Sequence, residues 1–303
     1  MTAWIDAFLP TFCLIALGYG LRARLIVEPA FWAGLDRLVF FVLLPALLCW
    51  SISTVNLAGL PLGSLAAVIW TVLGIATISA IAIARILRHD RAAMTSIVQG
   101  GIRFNNYMAF PIAAGLYGPA GLAFSGVTAG LIVPCVQTIL TCVFVLSEGG
   151  RLKPLRLFRQ IALNPLLLGC AIGFAFAAMG GMPHGIAPFA RSLGQAALAL
   201  GLLTVGAGLA PAALREAPLT QTIVAAQKLV LVPLLTLGGM RLLGVEPGPA
   251  AVAILTMAMP TATTSYVMAR AMGGDARLMA ATITLQHLAA IATLPVWALA
   301  LGR

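Results

Sequence analysis

Hydrophobic residues run along this chain in long unbroken stretches and do not alternate with polar ones. Ten such stretches cover 6–22, 38–54, 62–86, 93–117, 121–147, 164–180, 191–210, 218–243, 248–271 and 277–301. A helix needs about 20 apolar residues to cross hydrocarbon, and only helices or closed barrels can cross, because lipid offers no partner to an unpaired backbone group. Barrel strands would appear as segments of about ten residues with alternating polarity, and none is present. The pattern predicts an all-α polytopic membrane protein with ten transmembrane helices.

Composition agrees. Of 303 residues, 61% are hydrophobic and 9% charged, with a mean hydropathy of +1.04. Soluble domains carry about 25% charged residues, so a soluble enzyme, a disordered chain and a secreted disulfide scaffold are all excluded. Cys13, Cys49, Cys135, Cys142 and Cys170 lie in apolar stretches without the spacing that seats a metal, so no metal or cofactor is expected. The opening MTAWIDAF lacks the basic start of a cleaved signal and is expected to remain as part of the first helix.

The net charge of +10 would suggest nucleic acid in a soluble protein. Here it is read as topology, because cations collect on the cytoplasmic side and meet anionic lipid there. Thirteen of the eighteen cations fall in the loops after spans 1, 3, 5, 7 and 9, and only Arg191, Arg241 and Arg303 fall on the other side. Both termini are therefore expected outside a cell (inner) membrane, with the lipid bilayer as partner and no role for nucleic acid.

The basic segment RLKPLRLFRQ, Arg151 to Gln160, divides the spans five and five. Because five is odd, two related halves would lie inverted in the bilayer, a plan common among secondary transporters. The expected units are a first repeat over 1–150, a cytoplasmic linker over 151–163 and a second repeat over 164–303. Each half carries a proline within its fourth span, Pro111 and Pro260. Asn105 and Asn106 precede the first; Thr261, Thr263, Thr264 and Ser265 follow the second. A helix interrupted at the midplane exposes N–H groups and the positive end of a half-helix dipole, which together seat an anion. The plainer alternative is a kink, the reading given to Pro45, Pro134 and Pro233.

The remaining two cations, Arg103 and Lys228, lie inside spans at a depth of roughly 16 Å. Every Asp and Glu is placed at a span end or in a loop, so the missing negative charge is expected to arrive with a substrate. Snorkelling, or capping of carbonyls freed by a broken helix, is the alternative. Gln286 and His287 lie in the middle of span 10: Gln286 is a candidate ligand, and His287 a possible proton relay if it is not simply a packing residue. Gln137 and Gln195 are read as hydrogen bonds between helices. No phosphate-binding GxxxxGK[ST] loop, HExxH or GxSxG occurs, so neither an ATP-driven pump nor an enzyme is expected.

The runs GGIRFNNYMAFPIAAGLYGPAGL (Gly100 to Leu122) and MPTATTSYVMARAMGGDARLMAATITLQHLAAIATLPVW (Met259 to Trp297) resemble the two signature regions of the auxin efflux carrier family. The opening from Phe8 to Leu48 resembles the start of its bacterial members. The resemblance implies two inverted five-helix repeats with helices 4 and 9 broken at prolines, here Pro111 and Pro260, that cross at the substrate site. It implies a scaffold of helices 1, 2, 6 and 7 carrying a mobile unit of helices 3–5 and 8–10, usually as a homodimer. Asn105 matches the polar position before the first crossover proline, whereas Asn106 stands where a small hydroxyl residue is expected. Substrates implied are organic anions: auxin-like acids in plants, malate or malonate in bacterial relatives.

The expected function is transport of a small carboxylate by alternating access, with the substrate at the crossing. Two alternatives are a sodium-coupled anion symporter of the bile acid symporter type and a membrane receptor that binds without transporting.

Overall fold

The computed structural model describes residues 2–55, 60–147, 155, 158, 159 and 162–302. The expected linker over 151–163 thus falls mostly outside the described residues. Helices joined by short connections make up those residues, with no strand among them. Seven helical segments among them are long and apolar enough to cross a membrane.

Helix α1 spans Thr2–Arg24. Helix α2 (Pro29–Leu38) continues through a π-helical turn, Val39–Leu43, into α3 (Leu44–Ser53). Helix α4 is Leu62–Ile86 and α5 is Arg91–Ile102, followed by α6, Asn106–Ser147. Next come α7 (Pro165–Ala178) and α8 (Ala187–Ala207). A 3-10 turn at Pro211–Arg215 leads to α9 (Pro218–Ala226), a second π-helical turn (Gln227–Leu231) and α10 (Val232–Leu242). The chain ends with α11 (Pro247–Met257), α12 (Thr264–Ala271) and α13 (Ala276–Ala300).

Helix starts follow from the side chains just before them. Asp90 accepts the Ala93 N–H at 2.8 Å, Asn164 accepts that of Leu166 at 2.9 Å, and Asp275 accepts those of Arg277 and Leu278. Each satisfies amides that the first helical turn leaves open. The π-helical turns sit immediately before Pro45 and Pro233, where a proline ring removes one donor from the ladder. The carbonyl four residues before Pro233, that of Leu229, takes the Trp297 indole N–H at 2.8 Å instead.

Helix α6 is too long to be one crossing. At Gly118 the backbone leaves helical space (φ 65°, ψ −153°), and a side chain added at Gly121 would strike the Ala113 carbonyl. Residues eight apart on a straight helix are about 12 Å apart, so the chain folds back here into two limbs, 106–117 and 119–147. The left-handed φ explains the glycine.

The second apolar segment starts earlier than the sequence suggests. Expected over 38–54, it is helical from Pro29, because Pro29 fits the first turn and the polar pair Asp36 and Arg37 is absorbed into α2.

Helices α1, α3, α7 and α8 pack with their backbones in contact. A Cβ on Gly18 would meet the Leu203 backbone, on Gly206 the Ile15 carbonyl, and on Gly169 the Pro45 backbone. In lipid, where burial of apolar area does not distinguish a neighbouring helix from a lipid tail, such close approach is what holds helices together.

Gly206→Ala should therefore push α1 from α8 and cost about 1–3 kcal/mol, read as a lower melting temperature in detergent. Gly20→Ala, where nothing lies within 4 Å of the added carbon, should leave it unchanged.

Candidate substrate-binding site

Two helices are interrupted. Between α5 and α6 the residues Arg103, Phe104 and Asn105 are not helical. The Asn105 carboxamide oxygen accepts the Tyr107 N–H at 2.9 Å and so caps the restarting helix. The break thus lies at 103–105 and not at Pro111, as the resemblance implied. Pro111 sits inside the first limb of α6. The physical reason is that a helix begins where a cap is available, and Asn105 offers one, whereas an interior proline forfeits one bond and is tolerated in membrane helices.

The second interruption runs from Ala258 to Thr263, with Pro260 at its centre. Pro260 has no N–H to return to the end of α11. The Thr261 N–H donates to Gln286 Oε1 at 2.8 Å. The Met257 carbonyl, deprived of both, accepts Lys228 Nζ at 2.8 Å.

Helix α13 connects the breaks. Gln286 takes the Thr261 N–H with its oxygen and gives its Nε2 to the Gly100 carbonyl at 2.9 Å, near the end of α5. His287 Nδ1 lies 2.7 Å from the Ile283 carbonyl and its Nε2 lies 3.0 Å from Asn105 Nδ2. The carbonyl can only accept, so Nδ1 carries the proton and Nε2 accepts from the amide. Thr261 Oγ1 donates to the Gln99 carbonyl at 3.3 Å, another tie between the breaks.

Beside the first break lies a cavity of about 80 Å³. Since roughly 10–15 Å³ on this measure admits one water, there is room for a small polar guest. Arg103, Asn105, Asn106 and Tyr107 line one wall, and Ala262 comes from the second break and Thr264 from the start of α12 just after it. Gln137 from the second limb of α6 and Asn164 at the start of α7 add two more amides, and Phe40, Leu44 and Val136 supply apolar surface. The starts of α6, α7 and α12 all meet this cavity, so three positive dipole ends surround it.

Arg103 is fixed from one side. Its guanidinium donates to Thr264 Oγ1 and to Met268 Sδ, both at 2.9 Å. Two acceptors leave the rest of its five N–H donors for a ligand. The Asn106 amide oxygen is buried without a partner. One expectation needs correcting: Asp36 is not at a span end. It lies within the continuous helical run from Pro29 to Ser53, half-buried, and acts electrostatically on Arg103 and Tyr107.

Of the residues singled out in the sequence, Arg103, Asn105, Asn106 and Thr264 meet in the cavity. Pro260, Thr261, Gln286, His287 and Lys228 cluster around the breaks without lining it. Thr263 packs toward Gly208, and Pro111 stands apart. Lys228 does what the alternative reading proposed for it, covering a freed carbonyl. Sequence reasoning missed Tyr107, Asp36, Met268 and Asn164, and treated Gln137 as a helix–helix contact only. Asn164 was findable, since Asn followed by Pro165 is a helix-start signature.

Sequence comparison identifies the family. The chain matches the membrane transport protein family over residues 3–156 and again over 153–298. It belongs to this family, that of the auxin efflux carriers. A relative from Methanothermobacter thermautotrophicus named "Uncharacterized transporter" is 25% identical over 98% of each chain. A relative from Rhizobium meliloti named "Putative malonate transporter" is 29% identical over 94% of this chain and 92% of its own. The protein is thus a multi-pass membrane transporter of the auxin efflux carrier family, and the two matches divide it near residue 155.

Loss of Gln286 is expected to damage this transporter more than loss of Asn105. Gln286→Leu strands the Gly100 carbonyl and the Thr261 N–H at about 1–3 kcal/mol each, while Asn105→Ala forfeits a cap worth ~1 kcal/mol and one bond to His287. Thermal unfolding in detergent ranks the two, and amide exchange should rise at 100–105 and 258–264 in Gln286→Leu.

Proposed function

We propose that this protein carries a small organic anion across the membrane by alternating access, binding one carboxylate group at Arg103 beside the crossing of the two interrupted helices. The observation that carries the reading is a half-buried arginine, with donors left over from its bonds to Thr264 and Met268, lining a small cavity that three helix N-termini also meet. A carboxylate fits that fork with two parallel bonds, which a lysine could not offer. Asn106, Gln137 and Asn164 supply neutral polar groups for the remainder of the guest. Asp36 acts as the negative neighbour of Arg103 while the cavity is empty, and an incoming carboxylate competes with it. The size of the cavity favours a short acid of the malonate or malate kind over a bulky aromatic one, and the name of the Rhizobium relative supports the same choice.

The topology that goes with this reading has ten passes. The two limbs of α6 count separately, α7 crosses as a short helix, and α11 with α12 forms one broken crossing. Five passes precede and five follow the segment near residue 155, where the two family matches also divide, so the halves lie inverted. With cations inside, Asn164, which starts α7 and lines the cavity, puts the cavity toward the cytoplasmic half.

Uptake of labelled malonate or malate into proteoliposomes measures this directly. Arg103→Ala should abolish saturable uptake, and Arg103→Lys should raise KM by roughly tenfold or more, the loss of one charge-assisted bond. Undiminished uptake in Arg103→Ala removes the site assignment. Ligand-dependent melting without counterflow would replace the carrier by a receptor.

A further inference from the structure

Two half-helices end at the breaks, and each leaves a carbonyl open toward the middle of the molecule. At the end of α5, the Gly100 carbonyl receives a neutral amide from Gln286. At the end of α11, the Met257 carbonyl receives the side-chain nitrogen of Lys228 at 2.8 Å, and this residue is 0% exposed. The carbonyl is open for a definite reason. The donor three residues on is missing because residue 260 is proline, and the donor four residues on, Thr261 N–H, is taken by Gln286.

The C-terminal end of a helix carries a partial negative charge of about half a unit. In transporters built on broken helices, such ends and their unwound carbonyls are where a coupling cation sits. Here a side chain already occupies that position. Lys228 reaches it from the π-helical turn Gln227–Leu231 of a neighbouring crossing, and Gln227 beside it anchors that turn by giving Nε2 to the Ala76 carbonyl at 2.8 Å. Among the described residues the hydrogen-bond partner of the Lys228 nitrogen is the Met257 carbonyl, and no carboxylate forms an ion pair with it. The Lys228 nitrogen thus rests on one carbonyl at the negative end of a helix.

We propose that Lys228 is a tethered ammonium that takes the place of a coupling cation at the end of α11, so that the carrier works without sodium. This rests on the carrier reading above and fixes one property of it: the ion that other broken-helix carriers must recruit from solution is covalently part of this chain.

The test uses purified full-length protein. Its melting temperature should be equal in sodium, potassium and choline chloride at one ionic strength, as should uptake of labelled malonate in proteoliposomes. Lys228→Ala should melt lower and lose uptake by roughly tenfold or more, from the unpaired carbonyl. Sodium or ethylammonium, but not choline, should restore part of its melting temperature by entering the vacated slot. Lys228→Met keeps the stem and fills the slot without charge, so neither ion should restore it. Sodium-dependent stabilisation or uptake in the wild type overturns the proposal, as does wild-type uptake by Lys228→Met or indifference of Lys228→Ala to every cation. If Lys228→Ala does not fold, Lys228→Met and the wild-type ion series still decide. The melting series contains no substrate, so it decides the role of Lys228 even if malonate is not carried.

Discussion

An unpaired backbone group away from water costs several kcal/mol, and this protein interrupts its helical path twice in its interior. Everything else at its centre follows from satisfying the groups so freed. They are not left to water. Gln286 closes one donor and one acceptor on opposite breaks, Asn105 caps the restart of α6, Lys228 covers the Met257 carbonyl, and Thr261 bonds the Gln99 carbonyl. Most of these partners come from elements far away in sequence. The breaks can therefore exist only once α9, α10 and α13 are packed around them, and a polar centre becomes a fold-specifying feature in a molecule whose remaining surface could pack in many ways.

The two cations inside the helical interior, one buried and one half-buried, show how surroundings assign different work to similar charges. Arg103 and Lys228 lie at comparable depth by sequence. The lysine, a point charge on a flexible stem, ends on a single carbonyl in a fully enclosed slot. The arginine, a rigid fork, is pinned by Thr264 and Met268 on one side and presents its remaining donors to a cavity. Only the second arrangement can gain a partner without reorganising, which is what preorganised binding requires.

Long apolar runs made most of the fold legible in advance. The expected spans over 62–86, 218–243 and 277–301 fall within a residue of helical segments that begin at Leu62, Pro218 and Ala276. Pro260 was legible too, because a proline among four hydroxyl residues cannot sustain a membrane helix. The place of the first break was not. Pro111 and Asn105 both weaken a helix; the break falls where Asn105 caps the restart at Tyr107, and that side chain is also held by His287, 182 residues away. Asp36 was hidden by the opposite effect. Polar residues argued for a loop over 29–37, but a helix with Pro29 in its first turn carries Asp36 in toward Arg103. Caps and helix starts decided both cases, and hydrophobic periodicity along a single stretch contains no information about them.

How such a site could alternate follows from which elements are bonded to which. Arg103 to Thr264, Asn105 to His287, and Gln286 to Gly100 and Thr261 fasten α5, α6, α12 and α13 to one another across both breaks. On the other side of the cavity, α1, α3, α7 and α8 are interlocked by glycines whose backbones touch their neighbours. The cavity lies between these two groups, with Phe40, Leu44 and Asn164 on one wall and Arg103, Asn106 and Thr264 on the other. Rearranging the breaks would strand several buried polar groups at about 1–3 kcal/mol each, whereas sliding one group past the other keeps those bonds and shifts packing contacts, such as that of Gly115 on the Ala7 backbone. On the carrier reading, the bonds across the breaks favour an anion that travels with α5, α6, α12 and α13 as one unit. The contact that changes during the cycle is then the apolar wall formed by Phe40 and Leu44, together with the approach of Asp36 to Arg103.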